Sequence, residues 1–252
     1  MRRTWHGLLI FLLAGLALFG VDKLFASRSF TSTANYLSAS STSYNVTGTT
    51  LTLAAWVKFI SSVPSAQAGI IQKNYSNLFQ YALNVSYPTA SKFGFQDGNG
   101  TTSRASLACS TALSVGTWYQ VTATLNGTTM NIYLNGANCG TSSSGISIGS
   151  NGANLLCIGV GQSSSTACGT GSPSAAMAEV AIWNVALTAN EIKALANCTP
   201  PPVVHGGSSL VGYWPLWGGD SPEQDYSGGK SSATVTGATP ANHVCGGTWS
   251  DK

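Results

Sequence analysis

The segment GTWYQVTATLNGTTMNIYLNGANCG, residues 116–140, decides the fold class. In its first half Tyr119, Val121, Ala123 and Leu125 alternate with Gln120, Thr122 and Thr124. In its second half Met130, Ile132 and Leu134 alternate with Asn131, Tyr133 and Asn135. A period of two is the signature of strands with one buried face. Asn126-Gly127 between the halves is the dipeptide that best tolerates the positive φ angles of a hairpin turn. A second Asn-Gly pair, Asn135-Gly136, closes the second strand. The segment therefore predicts two antiparallel strands and a tight turn.

Working outward, LTLAAWVKF (51–59), GIIQK (69–73), residues 81–85, 92–96, 155–160 and 179–183 all read as strands separated by turn residues. Asn35-Tyr36-Leu37 reads as an edge strand, and Asp97-Gly98-Asn99-Gly100 as a turn by composition. Short strands at even spacing, with no helices between them, predict an all-β, two-sheet antiparallel sandwich. One short helix is expected. Thr188-Ala-Asn-Glu191 is a capping box, with Leu187 and Ile192 placed as a hydrophobic staple, and the helix should end near Asn197. Residues 199–209 read as a linker, and LVGYWPL (210–216) and 233–236 as two further strands. The expected organisation is 1–26 as a targeting segment, 27–198 as the sandwich, and 199–252 as a Pro/Gly-rich linker and extension docked on it.

Composition narrows the class of partner. Hydrophobic residues make up 43% of the 252 residues, enough for a core, while charged residues are only 8%, about a third of the usual share. The formal charge of +3 is concentrated at the N-terminus. Beyond residue 26 there are eight Lys/Arg against seven Asp/Glu, so no basic patch offers a footprint for nucleic acid. Arg2 and Arg3 followed by the apolar run 7–21 read as a secretory signal peptide, with an uncleaved anchor as the alternative. A membrane is expected as a partner only through that segment. All six cysteines, Cys109, Cys139, Cys157, Cys168, Cys198 and Cys245, lie beyond it. An even count in an exported chain predicts three disulfides, although many pairings are open in principle. The arrangement we favour joins Cys157 to Cys168, Cys109 to Cys139, and Cys198 to Cys245. A secreted or cell-surface location follows.

Three segments together carry a family resemblance: LTLAAWVKF with GIIQK, GTWYQVTATLNGTTMNIYLNG, and EVAIWNVALTANEI (179–192). In this order and spacing they resemble the laminin-G-like, concanavalin A-like lectin-glucanase domains, a group that includes pentraxins. The resemblance covers roughly residues 30–197. It implies a jelly roll, and a glycan or glycosylated surface as partner. Members often bind calcium on a loop at the sandwich edge, which here would draw on Asp97 with Asn99 or Asp220 with Asp225. Carboxylates are scarce for a cation that takes six to eight oxygen ligands. Ala178-Glu179 also stands where the family often has an acidic pair. The tail segments SLVGYWPL and TVTGAT resemble pieces that often open such domains.

No catalytic residue is assigned. Glycoside hydrolysis needs two carboxyl groups flanking the scissile bond, and no two of the acids beyond residue 26 alternate along a strand. Gly145-Ile-Ser-Ile-Gly149 matches a nucleophile elbow in letters, but no helix pattern follows it. Trp56, Trp118, Trp183 and Trp214 sit in apolar strand patterns and are expected in or near the core. Trp217 and Trp249 lie among Gly, Ser and Asp, where an indole face can stack on a sugar ring. The expected function is a non-catalytic extracellular carbohydrate-binding or adhesion module. A structural surface or virion-type component is the alternative, and a hydrolase ranks behind both.

Overall fold

A computed structural model describes residues 27–39, 42, 44–75, 78–150, 154–217, 219, 221–228 and 231–245. The targeting segment, Asp220 and Trp249 lie outside the described residues. In chain order the strands are β1 (Ser27–Phe30), β2 (Tyr36–Ala39), β3 (Thr50–Phe59), β4 (Ala68–Tyr75), β5 (Leu78–Val85), β6 (Phe93–Gly98) and β7 (Arg104–Ala108). They continue with β8 (Trp118–Asn126), β9 (Thr129–Leu134), β10 (Ala137–Ser142), β11 (Leu156–Ile158), β12 (Gly161–Ser164), β13 (Ala167–Thr170) and β14 (Ala175–Trp183). The helices α1 (Ala189–Ala196) and α2 (Pro201–Val204) then precede β15 (Leu210–Trp214), β16 (Thr234–Thr236) and β17 (Thr239–Ala241).

Among the described residues these form two antiparallel sheets, ordered β10-β9-β8-β3-β14-β1-β17 and β16-β2-β11-β4-β5-β6-β7. In the first sheet β15 also pairs with β14, and β12 and β13 make a separate hairpin. The alternation read in residues 116–140 is what the sandwich uses. Tyr119, Val121, Ala123, Leu125, Met130, Ile132 and Leu134 face the shared core, where they meet Leu83, Val85, Phe93 and Phe95 of the second sheet. Asn135 and Gly136, at φ +50° and +79°, turn β9 into β10. The β8–β9 turn is centred one residue later than Asn126-Gly127. Asn126 pairs with Thr129, and Gly127 takes the positive φ of +63°.

The jelly-roll reading holds, and so does the capping box. Thr188 Oγ1 accepts from the Glu191 amide, and Glu191 Oε2 accepts from the Thr188 amide at 2.7 Å. Ile192 and Leu195 bury against Trp183, Leu210 and Tyr213 on the outer face of the first sheet. The three disulfides are Cys109–Cys139, Cys157–Cys168 and Cys198–Cys245. Residues 199–209 contain α2 and a 3-10 turn rather than an unstructured connection.

Three readings are corrected. The extension joins both sheets through β15, β16 and β17, and β16 covers β2, so β2 lies between two neighbours and is not an edge. Asp97 belongs to β6 and follows the inward parity of Phe93 and Phe95, so its position in the chain is strand rather than turn. The strand read from residue 179 starts earlier, at Ala175, and is broken within.

That break is a β-bulge. Ala175 and Met177 face the core, and so do Val180 and Ile182, so the parity changes between them. Ala178 pairs with Trp56 but Ala181 pairs with Ala54. The extra residue includes Glu179 at φ +50°, a left-handed conformation that costs a non-glycine residue about 1–3 kcal/mol. Before the bulge β14 pairs with β1, and after it with β15. The bulge thus turns the Glu179 carboxyl away from the core that regular alternation would have given it.

Candidate functional site

Among the clefts formed by the described residues, two on the outer faces of the sheets present chemically distinct side chains. The first is polar. It opens between residues of β4, β5 and β7 and the β12–β13 hairpin, which the Cys157–Cys168 disulfide ties to the sheet. Its volume is about 300 Å³, and its walls include Gln67, Gln72, Asn74, Gln162, Phe79 and Arg104. Gln72 reaches it because strand parity sends it outward while Ile71 packs inward, and Gln96, outward beside Phe95, lies behind Gln67. Gln96 Oε1 accepts from Asn84 Nδ2 at 2.9 Å and from Gln67 Nε2 at 3.3 Å. Gln72 Oε1 accepts weakly from the Gln162 backbone amide at 3.4 Å. The Gln162 side chain is different: it is only 6% exposed, yet neither its Oε1 nor its Nε2 has a partner. Asn74 Oδ1 is also buried and unpartnered. An orphaned buried amide costs about 1–3 kcal/mol, and Gln162 holds donor and acceptor together at the wall of an open cleft. The Arg104 guanidinium sits over the Phe79 ring at 4.4 Å, which fixes a cation beside it.

Sequence reasoning did not single out these amides. Of the residues read for calcium, Asp97, Asn99 and Asp225 are described, and each is committed to the fold. Asp97 is 1% exposed, Oδ2 accepts from the Ile146 amide at 2.9 Å, and burial pushes its pKa up to about 6. Asn99 Oδ1 is used by the amide and hydroxyl of Thr101. Asp225 Oδ1 accepts from the amides of Tyr213 and Ser227, and Oδ2 from the Tyr44 hydroxyl. That carboxyl anchors the extension to the sandwich. Among the described residues no group of three or more His, Cys, Asp or Glu could hold a metal ion. These donors therefore do not fit a calcium ion.

The second cleft is where the structure places Trp217. It has a volume of about 310 Å³ and is lined by Glu179, Tyr213, Trp217, Tyr226 and the α2 segment residues Pro200, Pro202 and Val203. Trp217 is 44% exposed and Tyr226 48%, with ring centroids 5.3 Å apart. Tyr226 lies 6.4 Å from Tyr213, so three rings form an angled wall. On the floor the Tyr213 hydroxyl donates to Glu179 Oε2 at 2.5 Å. Burial raises the Glu179 pKa to about 7, and the Tyr213 hydrogen bond opposes that rise. The four tryptophans expected in or near the core behave as read: Trp56, Trp183 and Trp214 are buried, and Trp118 is half-buried.

A pair of facing carboxyl groups is not assembled at either cleft among the described residues. No Asp or Glu is among the described residues lining the polar cleft, and Glu179 alone lines the aromatic one. A two-carboxyl glycosidase needs a pair.

Comparison with known proteins agrees with this architecture. Residues 31–193 match the family model described as the concanavalin A-like lectin/glucanases superfamily. None of the curated proteins matches the sequence significantly. Among solved structures, a candidate carbohydrate-binding protein of Bacteroides ovatus is 18% identical with a TM-score of 0.65, over 87% of this chain and 60% of its own. The chain thus spans less than two thirds of that protein. A heptameric SAP-like pentraxin of Limulus polyphemus is 20% identical with a TM-score of 0.56, over 86% of this chain and 98% of its own.

Proposed function

The chain belongs to the concanavalin A-like lectin/glucanases superfamily, and on that basis we propose that it is a non-catalytic glycan-binding module acting outside the cell. The observation that carries this reading is the Gln162 side chain, buried in the wall of the polar cleft with donor and acceptor both unused. A sugar presents hydroxyls that donate and accept at once, the complement of a carboxamide. Gln72, Asn74 and Gln67 add further amides along the same wall, and Phe79 an apolar surface. The Bacteroides neighbour described as a candidate carbohydrate-binding protein supports the same class of ligand. Three disulfides support an oxidising compartment. Asn99 Oδ1 and both oxygens of Asp225 are already engaged, and Asp97 is 1% exposed, so the binding we propose does not depend on calcium.

The test is a glycan array followed by titration calorimetry on the best hit, with wild type and Gln162→Met, in chelator and in calcium. Methionine keeps the volume of the side chain and removes both polar atoms. Loss of one or two neutral hydrogen bonds weakens affinity about tenfold, while removal of an orphaned amide leaves stability unchanged or higher. Wild-type affinity should be the same in both buffers. Full binding by Gln162→Met would move the site elsewhere. Binding lost on chelation would overturn the calcium-free reading, and no glycan bound by wild type would overturn the function.

A further inference from the structure

The aromatic cleft has a different chemistry from the polar one. Its floor is a carboxyl group, 8% exposed, whose one side-chain hydrogen bond comes from the Tyr213 hydroxyl. No Lys, Arg or His is among the described residues that line the cleft. Apart from Glu179 and the two tyrosine hydroxyls, the lining side chains are rings and aliphatic groups: Trp217, Pro200, Pro202 and Val203. A sugar would find few partners for its several hydroxyls here. A buried carboxyl without a positive neighbour is costly to ionise, and the faces of Trp and Tyr attract cations electrostatically. Both features call for the same guest.

We propose that the cleft formed by Glu179, Tyr213, Trp217 and Tyr226 is a binding site for a small free alkylammonium ion, such as a quaternary or N-methylated amine. The cation sits against the rings of Trp217 and Tyr226, with Glu179 below it as counter-charge. Its methyl groups match Pro200, Pro202 and Val203, and the volume of about 310 Å³ suits a small organic ion. The bulge holds Glu179 at this position: regular alternation would put it in the core. The site is separate from the polar cleft and its fate does not depend on glycan binding.

The probe is tetramethylammonium chloride, titrated into the full chain at matched ionic strength and followed by tryptophan fluorescence and by the Trp217 indole NMR signal. tert-Butanol serves as an uncharged counterpart of similar size. Tyr213 and Tyr226 are the other titratable groups facing Glu179, and burial pushes the Tyr213 hydroxyl pKa well up. With the carboxyl half-ionised near pH 7, cation affinity should rise about tenfold from pH 6 to pH 8. Glu179→Gln preserves the bond to Tyr213 and should abolish that pH dependence and weaken binding at least tenfold. Trp217→Ala, at an exposed position, should weaken binding several-fold with an unchanged melting temperature. Gln162→Met should have no effect. Equal binding of tert-butanol, or undiminished and pH-independent binding by Glu179→Gln, would overturn the proposal, as would the absence of any tetramethylammonium binding by wild type.

Discussion

His243 makes the docking of the C-terminal extension sensitive to acid. Its ring is 7% exposed and meets Trp118 and Trp56 edge-on, at centroid distances of 4.7 and 5.3 Å. Neither ring nitrogen has a hydrogen-bond partner. Burial, with the Lys58 charge adding to it, lowers the pKa from 6.5 to about 4. The folded state therefore holds His243 neutral, while the unfolded chain takes up a proton as the pH falls through 6.5. Stability is unaffected above that value, is lost between pH 6.5 and 4, and levels off below. At pH 5 the loss works out to about 2 kcal/mol, and fully developed to about 3 kcal/mol. Asp97 and Glu179 act in the opposite sense, since their raised pKa values make acidification stabilising. A single pH scan therefore mixes signs. The clean measurement is urea unfolding of wild type and His243→Phe at pH 7 and pH 5, where phenylalanine keeps the ring between the two indoles. The wild type should lose about 2 kcal/mol more than the variant over this interval. Equal losses, or an NMR titration of His243 near 6.5, would refute the reasoning.

Two further outcomes test other parts of the structure. Arg28 and Glu223 form an ion pair at 2.7 Å with side chains 4% and 5% exposed, so Glu223→Gln, which removes one charge of a buried pair, should cost about 3–5 kcal/mol in the urea midpoint analysis. Asp97→Asn should flatten the pH dependence of stability between about 4 and 6, because the native carboxyl is held protonated above its unfolded range; an unchanged profile by thermal unfolding would remove the carboxyl from the account.

The sequence disclosed what local period and local caps determine. Tyr119 to Leu134 alternate because one face of each strand packs into the shared core, although Gln120, Thr122 and Thr124 on the opposite face of β8 are buried as well, and Thr188 and Glu191 lie within one helical turn. The three disulfide pairs match the favoured arrangement of one short loop closure, one bridge from near β7 to β10 and one tether of the tail. Asp97 was misread because the composition of DGNG outweighed the parity that runs Phe93, Phe95, Asp97. The polar cleft could not be read. Gln72 and Gln162 are ninety residues apart, and each alone is an ordinary outward strand residue. Trp217 was legible as an exposed indole among small residues, but its partners were not. Tyr213 and Tyr226 come from the extension and Glu179 from the sandwich, and the β14–β15 pairing with the hydrogen bond from the Tyr226 amide to the Tyr213 carbonyl unites them. One local signal was available for Glu179: the apolar period of Ala175 and Met177 resumes at Val180 and Ile182, one residue out of step.

The residue at that step decides how the aromatic cleft is understood. A bulge was needed there in any case, because β14 passes its edge from β1 to β15. Sheet architecture alone would be served by glycine or asparagine, which adopt positive φ at little cost. Glutamate instead carries three separate costs: the left-handed backbone at φ +50°, burial to 8% exposure, and a carboxyl with no cation beside it among the described residues. The Tyr213 hydroxyl offsets only part of the last. A positively charged guest held by Trp217 and Tyr226 offsets the remainder, and it does so only when bound. On this argument the free protein is the strained state, and ligand binding should raise its stability more at pH 8, where the carboxyl must otherwise ionise alone, than at pH 6, where it keeps its proton.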